Sequence, residues 1–209
     1  MTQQVICNLI RKIWCLGHGL ATASVFLFLG LTSPAIGDEA TPPQYVGSDT
    51  CVSCHSDEVA DWQGSHHALA WAKPTAETVV GGFDGRRFTH QGSTTRFLKD
   101  DGQYVIETED AKGGKRRFEV AGVAGVEPLQ QYIIETEPGR MQSFDVVWDV
   151  EEERWFHLYP DTTNTDEFYW TNSGQNWNFM CADCHSTNLE KNYDSASNTY
   201  NTTWSEINV

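Results

Sequence analysis

Cys181, Cys184 and His185 stand in the order C-x-x-C-H within NFMCADCHSTNLEKNYD, and Cys51, Cys54 and His55 repeat the order in GSDTCVSCHSDEV. With 6 cysteines and 7 histidines in 209 residues, an accidental match is expected on the order of 0.01 times, for a pattern that otherwise reads as c-type haem attachment. The geometry explains the spacing. Two thiols three positions apart on a tight turn reach the two vinyl groups of one porphyrin, and the next imidazole then lies under the iron as its proximal ligand. The sequence therefore predicts haem c at two attachment sites, through Cys51 and Cys54 and through Cys181 and Cys184, with His55 and His185 on iron. Two C-x-x-C disulfides would leave both histidines unexplained. Zinc would find only Cys₂His in each motif, short of the four ligands of a structural site.

Covalent haem is assembled outside the cytoplasm, and the N-terminus carries the matching address. Arg11 and Lys12 form a basic start, no charged side chain occurs from Ile13 to Gly37, and Leu20 to Leu31 is the apolar run LATASVFLFLGL. SPAIGDEA then offers Ala35 and Gly37 as a small-x-small cleavage site, so residues 1–37 read as a signal peptide and the protein as exported or periplasmic. An uncleaved signal anchor is the competing reading, since a membrane span needs about 20 residues. Cleavage would remove Cys7 and Cys15, leaving only the four motif cysteines in a domain spanning 38–209. It would also remove Arg11 and Lys12, so that 12 basic side chains face 29 acidic ones, a formal charge of −17. Such a surface argues against nucleic acid and anionic lipid. It suits docking to a basic redox partner protein, or serves solubility alone, and after cleavage nothing speaks strongly for a membrane.

After a Pro-containing linker, Asp38 to Val46, and the first motif, DEVADWQGSHHALAWA (57–72) reads as one short helix with Val59, Trp62, His66 and Leu69 near one face, weakened at Gly64 and ended by Pro74. From about 81 to 160 the texture changes to short aromatic and β-branched runs, such as TTRFLK, QYVIETE and LQQYIIETE. KDDG, AKGG and EPGR stand between such runs as hairpin turns. The expected fold class is α+β: short helices around covalently bound haems, with an inserted antiparallel β-meander of five to seven strands. The run Asp149 to Glu153 reads as a solvated turn.

The irons also need a second axial ligand or an open site. Met141 and Met180 are the only methionines beyond the signal segment, and Met180 adjoins its own motif. His66, His67, His90 and His157 are the other candidates. His66 and His67 are neighbours, so one of the pair is the expected ligand. His90 reads equally as hairpin surface, and His157 as a core histidine.

YVGSDTCVSCHSDEVADWQGSHHALAWA resembles the opening of exported multihaem cytochromes related to the tetrahaem electron carrier of nitrifying bacteria, in particular the branch often fused to tetratricopeptide repeats. GVEPLQQYIIE, RWFHLYPD and QNWNFMCADCHSTNLEKNYD resemble the same branch, so the likeness spans about Tyr45 to Val209. The resemblance implies His67, within W-x-x-S-x-H, as a haem ligand in preference to His66, and it raises His157. In that family a stretch like TTWSEINV runs into another C-x-x-C-H, so a chain truncated at the C-terminus is expected. The function implied is electron transfer through covalently held haems. The rival is an oxidoreductase acting on a small nitrogen or sulfur compound at a five-coordinate haem. A third reading makes the motifs braces for an interaction module.

Overall fold

The computed structural model describes residues 43–208; the expected signal segment 1–37 lies outside them. The alternating runs form one nine-stranded antiparallel sheet. Its strands are β1 (Trp71–Ala72), β2 (Asp84–His90), β3 (Ser93–Asp100), β4 (Gln103–Glu109), β5 (Lys115–Ala124), β6 (Leu129–Glu137), β7 (Arg140–Ser143), β8 (Val146–Asp149) and β9 (Arg154–His157). KDDG joins β3 to β4, AKGG joins β4 to β5, and EPGR joins β6 to β7. Asp101 takes a positive φ in the first of these turns, beside Gly102. Asp149 to Glu153 turns between β8 and β9, with the Asp149 carboxylate accepting the Glu152 N–H at 2.9 Å.

The sheet nearly closes on itself like a barrel. Its path runs β2-β3-β4-β5-β6-β8-β9, and side chains rather than a ladder bring the two ends together. Arg86 on β2 donates to the Glu153 carbonyl at 3.2 Å, and His90 and Gln91 both reach the Pro160 carbonyl at 2.8 Å. Inside, Phe97 stacks on Trp155 with ring centroids 3.4 Å apart, and Phe83, Tyr132 and Trp148 pack edge-on or tilted around Trp155. Each such aromatic contributes roughly 1.5–3 kcal/mol by leaving water.

The α+β expectation is therefore wrong: the chain is mostly β. Among the described residues the α-helices are Ser56–Gln63, Trp177–Met180 and Ala182–His185. The longest of them buries no residue. The meander is not an insertion between helical segments but the body that they sit on. The helix expected over 57–72 stops at Gly64. There the Ser65 hydroxyl donates to the Trp62 carbonyl at 2.6 Å, turning the chain out of helical register. Trp71, expected on that helix, starts β1 opposite Ala124 instead. Its indole lies flat over β5, where a Cβ on Gly122 would come within 2.7 Å of the ring; only glycine admits this approach.

On β6, Gln130 pairs with Trp148 of β8 and Ile133 with Ser143 of β7, so two residues on one strand face four on the other. The extra residues form a bulge around Phe144 and Asp145, stitched by Phe144 N–H to Tyr132 O at 2.8 Å and by the Gln131 amide to Phe144 O at 2.9 Å.

Candidate functional site

Both C-x-x-C-H segments fold as the same kind of tight turn. In the first, the Ser48–Cys51 3₁₀ turn follows Gly47, and the Cys54 and His55 amides both donate to the Cys51 carbonyl, at 3.1 and 3.0 Å. In the second, Asn176 caps the short helix Trp177–Met180 by accepting the Phe179 N–H at 2.9 Å. The Cys184 N–H then donates to the Cys181 carbonyl at 3.1 Å. These i,i+3 turns hold the two thiols of each motif on one side of the backbone. All four are free thiols. Cys51, Cys54 and Cys184 are exposed, whereas Cys181 is half-buried against Trp71, Ile133, Trp177 and Ala182. Burial pushes the Cys181 thiol pKa up, a hydrogen bond with Ser143 lowers it in part, and Cys184 raises it.

The last described residues tie the two motifs together. Ser186–Thr187 (β10), directly after His185, pairs antiparallel with Glu206–Ile207 (β11). From that strand Glu206 reaches the first motif: its carboxylate accepts the Ser48 hydroxyl at 2.6 Å and the Ser48 N–H at 2.9 Å. Asn208, just beyond that strand, joins the second motif to the segment that follows the first. The Asn208 amide nitrogen donates to Ala68 O at 3.0 Å and Trp71 O at 2.6 Å, so its Oδ1 is the atom left facing His185 Nδ1, 3.4 Å away. That acceptor places the proton of the His185 ring on Nδ1 and the lone pair on Nε2, the arrangement of a metal-ligating histidine held by an amide carbonyl. Beneath lie Trp71, Trp177 and Trp204, each within 5.7–6.0 Å of the other two by ring centroid.

The other sequence-predicted histidines fall in two places. His66 and His67 are exposed on the turn after the first helix, with His66 Nε2 4.0 Å from the Glu127 carboxylate. His90 and His157 contact each other, with ring centroids 4.6 Å apart. Their other neighbours are Phe88, Pro160, Tyr159 and Asp145 rather than either motif. His55 is exposed, 3.9 Å from Glu58. Among the described residues no group of three or more His, Cys, Asp or Glu is arranged to hold a bare metal ion. The motifs instead fit a flat apolar group bound through sulfur. Val52, Leu69, Phe179 and Met180, all within about fifteen residues of a motif, expose 38, 42, 59 and 46% of their surface, which a porphyrin face would cover.

Sequence reasoning missed Asn178, Trp204, Glu206 and Asn208. These are polar or lone aromatic residues in elements of two to four residues or in the coil beside them, and nothing in their periodicity marks them.

The Ser48–Glu206 clasp makes a pH prediction. The Ser48 hydroxyl, then the Ser48 amide, hold the Glu206 carboxyl below its ordinary 4.5. A carboxylate depressed in the folded state contributes stability above the unfolded value, lost as pH falls through the folded one. The Ser48 amide resonance is therefore expected to titrate only below pH 4.5, and not at all in that range in Glu206→Gln. A midpoint at or above 4.5 would refute the clasp.

Compared with known proteins, residues 50–82 match the family model of cytochrome c554 and c-prime. The match covers the first motif and continues through Trp62, Ser65, His67 and Trp71. No curated protein and no solved structure matches the chain. The family match relates the chain to the c-type cytochromes and supports haem c as a cofactor.

Proposed function

We propose that this chain is an exported c-type cytochrome carrying two covalently attached haems and passing electrons between them and a redox partner protein. The observation that carries the reading is the pair of C-x-x-C-H turns, each presenting free thiols, joined by one C-terminal strand. Cys51 and Cys54 would hold one group and Cys181 and Cys184 the other. Each thiol adds across a vinyl double bond, sulfur to one carbon and the thiol proton to the other, with no oxidant required. Bound haem supplies a one-electron iron couple whose potential is set by axial ligands, burial and hydrogen bonding.

The protein's own part is positioning. His55 and His185 present imidazoles, and Asn208 keeps Nε2 of His185 free to ligate. His67 is the favoured distal ligand over His66 on the W-x-x-S-x-H resemblance alone; the Ser65 hydroxyl that ends the first helix also accepts the Ala68 N–H, at 3.4 Å, and fixes the turn bearing both. His90 and His157 are already engaged across the barrel seam. The acidic surface, −15 for the whole chain, would steer a basic partner. Export rests on residues 1–37 as a signal peptide.

The test is a pyridine haemochrome assay after acid–organic extraction of protein matured in a host that attaches haem c. Two retained haems per chain are expected; none would sink the reading. The visible spectrum of the same sample should be low-spin. A high-spin ferric signature that shifts with cyanide would replace the carrier with a catalyst at an open iron.

A further inference from the structure

The two motifs differ in how their thiols can be reached. Cys51, Cys54 and Cys184 are exposed, whereas Cys181 is drawn into the cluster of Trp71, Ile133, Trp177 and Ala182. Trp204 and Ile207 pack on the same cluster from the C-terminal side. The Trp204 ring stands edge-on to both neighbours, 6.0 Å from Trp71 and 5.7 Å from Trp177 by centroid. A thiol reacts only where its partner can reach the sulfur. A vinyl group on the rim of a rigid macrocycle cannot enter a close-packed cluster, so attachment at Cys181 requires the packing to part.

The segment 203–208 is placed to part first. Glu190 and Thr203 exchange both backbone bonds at 2.9 Å, the Ser205 N–H donates to Thr187 O at 2.9 Å, and the Asn208 N–H donates to His185 O at 2.7 Å. Its side chains reach Ser48, Ala68 and Trp71. These partners lie in the two motif neighbourhoods, and the pairing of β11 with β10 is only two residues long. The barrel core around Phe97 and Ile106 is a separate cluster. A short two-stranded pairing is marginal by itself, so this segment can open locally while that core stays closed.

We propose that residues 203–208 form a strap that closes over the second motif, so that Cys181 takes its haem while the strap is open. Cys51 and Cys54 take theirs with the strap open or shut. Closure then covers the new thioether with Trp204 and Ile207 and brings Asn208 to His185 in the same movement. The inference rests on the haem reading only for what the thiol receives.

The probe is iodoacetamide, applied to the full chain produced without haem maturation, with each cysteine read by peptide mass. Cys181 is expected to react at least roughly tenfold more slowly than Cys184, and the gap to fall below about threefold in Trp204→Ala. Because loss of an indole can disturb folding, Glu206→Gln serves as the second variant: it weakens the hold on Ser48 and lies outside the cluster. It should raise the Cys181 rate roughly threefold with an unchanged circular dichroism spectrum. Equal rates at Cys181 and Cys184, or a Cys181 rate unchanged in both variants, would overturn the strap. Reduced haem added to the folded chain should attach through Cys51 and Cys54 and not through Cys181; attachment at Cys181 as fast as at Cys51 would overturn the order. Attachment at neither motif, folded or in urea, would count against the haem reading and leave the alkylation rates to judge the strap.

Discussion

A chain carrying Cys181→Ala and Cys184→Ala is expected to leave maturation with one retained haem instead of two, and the reciprocal Cys51→Ala, Cys54→Ala chain likewise with one. The expectation follows from how local each motif is. The turn holding Cys51 and Cys54 is closed by its own backbone bonds, as is the turn holding Cys181 and Cys184. The bridges between the two neighbourhoods run through Glu206 to Ser48 and through Asn208 to Ala68 and Trp71. No cysteine takes part in them, so removing two thiols leaves the other turn presented as before. The two variants should differ in stability. Cys51 and Cys54 are exposed and their loss should be nearly neutral, whereas Cys181 packs with the buried tryptophans. Trimming one buried sulfur resembles the smaller core truncations, about 1 kcal/mol. The measurement is haem per chain by haemochrome and by intact mass. Two haems on either double variant would show that those thiols are not the anchors. No haem on both would show that the sites form only together, which the local turns argue against.

How much of this was legible in the sequence depends on the range of the physics involved. The motifs are chemical signatures within five residues, and Cys51 to His55 can be read without any fold. The hairpin turns are local too: KDDG, AKGG and EPGR carry glycine where the chain must reverse, and each lies between paired strands. The fold class was misread because it depends on distant partners. Closure of the sheet rests on Arg86 meeting Glu153 and on His90 and Gln91 meeting Pro160, and β6 divides one edge between β7 and β8. Alternation along a strand does not encode any of these. The overlong helix is a milder case. Gly64 was visible as a weak point, but Ser65 turning back onto Trp62 decides that the helix ends there. His90 and His157, sixty-seven positions apart, are ring neighbours only because β2 and β9 meet at the seam. Asn208 was the least legible: an asparagine in SEINV acquires meaning only when His185, Ala68 and Trp71 stand around it.

Asn178→Ala is expected to cost about 3 kcal/mol of folding stability, more than any exposed polar substitution in this chain. The side chain is fully buried and satisfies three segments at once. Its Oδ1 accepts the Met141 N–H at 2.8 Å on β7, and its Nδ2 donates to Gly139 O at 3.0 Å and to Thr202 Oγ1 at 2.8 Å. Thr202 passes the connection on by donating to the Lys191 carbonyl at 3.0 Å. Alanine strands a buried amide and a carbonyl, each costing on the order of 1–3 kcal/mol when unpaired, less whatever water can repair. Asn178→Asp would keep the acceptor for Met141 but turn a carboxylate oxygen toward Gly139 O, so it should do no better than alanine. Urea midpoints compared with Asn201→Ala, an exposed asparagine expected to move stability by less than about 0.5 kcal/mol, measure the difference. The functional consequence is directional. Asn178 sits in the helix that delivers Cys181, so haem retained at the second motif should fall while that at the first holds. A loss below about 1 kcal/mol with an unchanged urea dependence would mean that the Trp71, Trp177 and Trp204 packing, not this amide, seats the second motif on the barrel.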